Sequence, residues 1–188
     1  MRIRGHFIAI STIVLGLAAC REPNIGPDAV TPTALVTRDE NALFQTDSLA
    51  YTFRTNSVGY TGDIGVTFVN RTGATVYMVN CNGGTSLALE KRVDGKWVVA
   101  WSPVMQLCLS PPITVAAGGT YRTRLGVFGG YPKSNTFPRF TITDIAGEYR
   151  AVWYSVLRTY QSSLPFGELL PLDARISNRF TIAVDSTP

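Results

Sequence analysis

Histidine is almost missing from this 188-residue chain: the one copy, His6, stands near the start and none follows. An imidazole general base and an imidazole-ligated metal are therefore excluded everywhere beyond residue 6. Cysteine is scarce as well, with only Cys20, Cys81 and Cys108. Long apolar runs are missing too. The one near the start, Phe7 to Ala19, has 13 residues, about 20 Å as a helix against about 30 Å of bilayer hydrocarbon. Blocks of like charge are absent: 17 Lys and Arg stand against 13 Asp and Glu, scattered along the chain, so there is no nucleic-acid footprint. No phosphate-cradling glycine loop, calcium-loop pattern or nucleophile-with-base pair can be assembled. These absences predict a non-enzyme with no cofactor and no metal.

The start of the chain is informative. Arg2 and Arg4 precede the apolar run, and small residues end it at Leu17-Ala18-Ala19-Cys20. A basic start, a short apolar middle and small residues at a cut site describe an export signal. All four of these last residues resemble the lipobox of bacterial lipoproteins. An ordinary signal cut after Ala18 and an uncleaved anchor are the alternatives. The resemblance implies that residues 1–19 are a lipoprotein signal peptide and that Cys20 is cleaved, diacylglycerylated and usually N-acylated, with palmitate-like chains as the membrane contact. Two or three chains hold a protein firmly, at about 0.8 kcal/mol per buried methylene. Arg21, in place of a retaining Asp, implies the outer membrane of a Gram-negative cell envelope.

Beyond the signal, 15 Lys and Arg remain against 13 Asp and Glu. The two remaining cysteines, Cys81 and Cys108, form an even pair in an oxidising compartment, which predicts a disulfide, with a reactive thiol or soft-metal pair as the rival. Residues 20–47, carrying Pro23, Pro27 and Pro32 and no sustained apolar period, read as a lipidated N-terminus and flexible linker.

From residue 48 to 188 the pattern is that of one all-β domain. Alternating runs rich in Val, Thr, Tyr and Phe predict strands over 49–55, 64–70, 74–80, 85–92, 96–101, 120–127, 139–143, 149–157 and 178–184. Asp94-Gly95 between two of them is a tight-hairpin signal. Short strands at this spacing predict an antiparallel β-sandwich. Asp144, Gly147 and Tyr149 in "TDIAGEYRAVW" resemble the tyrosine corner of immunoglobulin-like domains. With "VTFVNRTGATVYM", "LEKRVDGKWV" and "SNRFTI", the region is similar to bacterial immunoglobulin-like domains. That resemblance implies a binding or structural role. No Cys follows Tyr149, so the Cys81–Cys108 pair must staple somewhere other than between the sheets, as in antibodies. The Gly147-to-Tyr149 turn also resembles that of bacterial intracellular proteinase inhibitors, which implies protease inhibition as the alternative function.

One segment is too long and too apolar for a plain hairpin turn. Residues 158–176 carry Leu164, Phe166, Leu169, Leu170 and Leu172, and are expected either to contact an envelope protein partner or to fold back as a cap. Residues 128–140, "FGGYPKSNTFPRF", form a second loop candidate. Glu90 and Asp94 are expected to be solvated hairpin carboxylates. Asn70-Arg71-Thr72 fits a glycosylation sequon, which has little meaning in a bacterial lipoprotein.

Overall fold

In the computed structural model the described residues are 42–105, 110–161 and 167–185. They belong to the unit Leu35–Pro188; the other unit, Met1–Ala34, lies outside them, and so do the signal and Cys20. The elements are β1 (Phe44–Thr46), β2 (Ala50–Thr55), β3 (Gly59–Val69), β4 (Val76–Met78), β5 (Asn80–Cys81), β6 (Gly84–Thr85), β7 (Leu87–Val93), β8 (Lys96–Trp101), β9 (Ile113–Val115), β10 (Thr120–Gly130), β11 (Gly147–Trp153), β12 (Val156–Leu157), a 3₁₀ turn (Leu172–Arg175) and β13 (Ile176–Asp185). Among the described residues no helix is long and apolar enough to cross a membrane.

Two layers form the domain. One is β1–β3–β10, with β10 antiparallel to β3 over its whole length, from Thr120 opposite Val69 to Gly130 opposite Gly59. The other is β2–β13–β11–β7–β8, antiparallel except for the parallel pair β2–β13. They join at one corner, where Arg54 and Thr55 of β2 pair with Thr61 and Tyr60 of β3. With β3 and β10 as strands B and E, and β7, β11 and β13 as C, F and G, this is the arrangement of an immunoglobulin-like sandwich. Alternation explains the core: Ile64, Val66 and Phe68 of β3 are buried, as are Tyr149, Ala151 and Trp153 of β11. The Trp153 ring lies 5.3 Å from Phe44, 6.5 Å from Phe68 and 5.9 Å from Tyr121, which ties one end of the two layers together.

Three expectations need correction. Residues 20–47 are not linker throughout, because Phe44 is fully buried and β1 pairs with β3 through Phe44↔Phe68; the sandwich starts before residue 48. No strand spans 139–143, although Thr141 donates its amide to Ala100 O at 2.9 Å and Phe140 is core. A strand absent from the expectation, β9, pairs with β4. The Asp94-Gly95 turn is as expected, with φ of 49° and 78°, the left-handed pair of a mirror-image hairpin.

Candidate functional site

Three connections leave the same end of the sandwich: residues 70–86, 102–119 and 154–175. The register fixes this, since Val69 faces Thr120, Leu87 faces Trp153 and Ile176 faces Val152. Each connection contributes one short strand to a second, small sheet, β12–β4–β9. Tyr77 is the central rung, paired with Leu157 on one side and Thr114 on the other. "ATVYM" supplies the alternation: Val76 and Met78 face the core, and Tyr77 faces out to stack on Tyr160 at 5.8 Å.

Asn70 holds this end from beneath. It is fully buried, and its Nδ2 donates to Ala74 O at 2.7 Å, Val115 O at 2.7 Å and Ala116 O at 3.0 Å. Its Oδ1 accepts from the Thr72 amide and hydroxyl at 3.1 and 2.7 Å. The residue read as the head of a sequon is thus an internal clamp between two connections. Trp153 Nε1 is buried without an acceptor among the described residues, a cost of about 1–3 kcal/mol offset by the ring's packing.

The described parts of the apolar segment, 158–161 and 167–176, fold back against β12 in antiparallel contact. Arg158 donates its amide to Glu168 O at 2.7 Å, Leu170 donates to Val156 O at 2.9 Å, and Leu157 bridges Leu169. Its base is pinned by Arg175, whose guanidinium donates to Leu170 O at 2.7 Å and to Trp153 O and Tyr154 O at 3.2 Å each. Burial lowers the Arg175 pKa from its ordinary value. The expected binding residues therefore part company. Leu170, at 3% exposure, belongs to the core and is corrected to a cap residue, while Leu169 at 47% and Leu172 at 49% face outward. Leu164 and Phe166 lie outside the described residues.

The two other connections meet at Cys81. Asn80 Nδ2 donates to Pro111 O at 2.8 Å, and the Asn82 amide donates to Ser110 Oγ at 3.1 Å. Cys81 is not a free thiol; Cys108 lies outside the described residues.

At the opposite end the corner residues do come together. The Tyr149 hydroxyl donates to Ile145 O at 2.7 Å, and burial drives its pKa well above the ordinary value. Asp144 serves differently: the buried Lys91 donates Nζ to its carbonyl at 2.6 Å and to its Oδ2 at 3.1 Å. Gly147 has φ 140°, and a Cβ there would stand 2.8 Å from Lys91 Cε. Residues 128–140 are bound down, with Tyr131 donating to Asn56 O at 2.7 Å and Arg139 to Ser134 O at 2.6 Å. Of the hairpin carboxylates, Asp94 is exposed, but Glu90 is not the solvated group expected. It is only 13% exposed, accepts from Arg150 at 2.6 Å and lies 3.2 Å from the Tyr154 hydroxyl.

Among the described residues no group of three His, Cys, Asp or Glu could hold a metal. The loop end presents the Tyr77–Tyr160 pair and the outward Leu169 and Leu172 beside the β12–β4–β9 sheet. No protein-family model and no curated protein matches this chain.

Proposed function

We propose that this chain is a lipid-anchored protein of the bacterial cell envelope whose immunoglobulin-like domain binds a partner and carries out no catalysis. Cys20 is its lipid attachment point, the outer membrane its site, and the Cys81–Cys108 disulfide its staple. One observation carries the binding role: Leu169 and Leu172 stand about half exposed at the end where three connections are braced against each other. Exposed leucines on a built platform cost the folded chain nothing if a partner covers them. The staple is supported by Ser110 and Pro111 lying against Asn82 and Asn80, since two residues of chain reach about 7 Å. The turn shared with the inhibitors is occupied in holding the corner, so the binding reading is the one carried forward.

Two measurements test the proposal. Fatty-acid-analogue labelling should mark the wild type and not Cys20→Ala; equal labelling would refute the anchor. Crosslinking in intact envelopes should yield a discrete adduct that Leu169→Ser/Leu172→Ser loses while its urea midpoint stays within experimental error. An adduct unchanged by the pair would refute the binding end.

A further inference from the structure

The second site is a strand edge. An immunoglobulin-like sandwich ordinarily carries a D strand beside E, but among the described residues the side of β10 turned away from β3 is bridged only at its end, by Gly130 with Arg139. Gly130 shows which groups face that side: its amide donates to Pro138 O at 2.8 Å and its carbonyl accepts from Phe140 at 3.0 Å. By the two-residue period of a strand, Thr120, Arg122, Arg124 and Gly126 turn their N–H and C=O groups the same way. The far end is closed, because Phe128 O accepts from Trp101 Nε1 at 3.0 Å. From Thr120 to Gly126 no hydrogen bond is made on that side among the described residues, an open run of about 20 Å. Two of the usual protections are missing, for the β3–β10 register runs without a bulge and the strand has no proline; charge is the one present.

Charge selects the occupant. Arg122 and Arg124 are exposed, and neither forms an ion pair among the described residues. Beside them the Asp47 carboxylate lies over Gly65, and with Thr67 and both arginines it lines a cavity of about 330 Å³. A second copy pairing antiparallel at this edge would set arginine against arginine, and like charges directly opposite are destabilising. An acidic strand would set its side chains directly opposite both arginines, with Cβ atoms about 5 Å apart, where opposite charges attract. Asp63, paired with Gly126, ends the basic stretch, so only two acidic positions are favoured.

We propose that the open edge of β10 binds an extended peptide segment by strand addition, with acidic side chains at two alternate positions facing Arg122 and Arg124. Main-chain bonds supply affinity and the alternate side chains supply selection. This surface is separate from the loop end, and Leu169→Ser should leave peptide binding unchanged, so the two proposals fail independently.

The test uses the full-length chain and blocked peptides of about eight residues alternating Val and Thr, with Glu at two alternate positions, the same with Lys, and the Glu peptide N-methylated on its pairing amides. The Glu peptide should bind and slow amide exchange at Arg122 and Arg124 at least tenfold. The Lys and N-methylated peptides should bind at least tenfold more weakly, and R122E/R124E should reverse the Glu-over-Lys preference. Gly126→Pro removes an outward N–H while keeping both arginines and the β3 ladder, and should weaken the Glu peptide with its thermal midpoint unchanged. Equal binding of the N-methylated peptide would overturn strand addition, and no binding of the Glu peptide to the folded chain would overturn the site.

Discussion

At the corner end, the connection from β10 to β11 is fixed by single polar bonds: Tyr149 to Ile145 O, Lys91 to Asp144, Tyr131 to Asn56 O. At the other end, three connections are fixed by one another through β12–β4–β9 and by the buried Asn70 and Arg175. The corner makes each of these three contacts answerable to one side chain, beside the backbone bonds of Gly130 and Thr141. The interleaved end shares its backbone ladder among all three connections and leaves outward side chains free for other use. Stability and recognition can therefore separate at the second end in a way they do not at the first.

The largest break in this comparison should come from the staple. Reducing the proposed Cys81–Cys108 bond, or replacing Cys108 with Ser, would release a loop of about 28 residues and should cost roughly 3.5 kcal/mol by chain entropy. Urea melts with and without reductant measure it, and an unchanged midpoint would place the pairing elsewhere. Next comes a contrast between neighbours. Leu170→Ala should cost about 2 to 3 kcal/mol as a core deletion, whereas Leu169→Ala should stay within about 0.5 kcal/mol as a surface change. Equal losses would mean that the segment is all cap.

The corner should respond more modestly and in a pH-dependent way. Tyr149→Phe removes one buried hydrogen bond and should cost about 1 to 2 kcal/mol near neutral pH. Burial raises the Tyr149 pKa, and burial followed by the hydrogen bond to Asp47 pushes Tyr51 up to about 12. For a raised pKa the folded state holds the proton longer than the unfolded chain, whose tyrosines titrate near 10. The stabilisation is thus full below about pH 10 and is lost as pH rises toward 12. Denaturant midpoints should fall across that window, and the fall should be shallower in Tyr149→Phe. An identical slope in both would remove Tyr149 from the alkaline response.

Legibility followed the distance over which each feature is determined. β2, β3, β7, β8, β10, β11 and β13 each have enough residues for alternation to be read, whereas β1 and β9, with three residues each, do not. "RFTIT" has strand-forming composition, but Thr141 only bridges to Ala100 while the chain crosses between layers. The corner was readable because Tyr149 and Ile145 are four residues apart. Asn70 was not, since the carbonyl of Val115 that it holds is 45 residues away. Leu169 and Leu170 are alike in composition, and only the pairing of Leu157 with Leu169 decides which one faces the core.

The sequence by itself determined the all-β class, the Asp94-Gly95 hairpin and the corner, because period-two burial and turn stereochemistry act between near neighbours. Tertiary structure alone decided that three distant connections share one sheet, that Leu170 is inside and Leu169 outside, and that β10 carries two exposed arginines on an edge left open among the described residues. Those outcomes depend on which strand lies beside which, and that is settled by packing of the whole core rather than by any local run of residues.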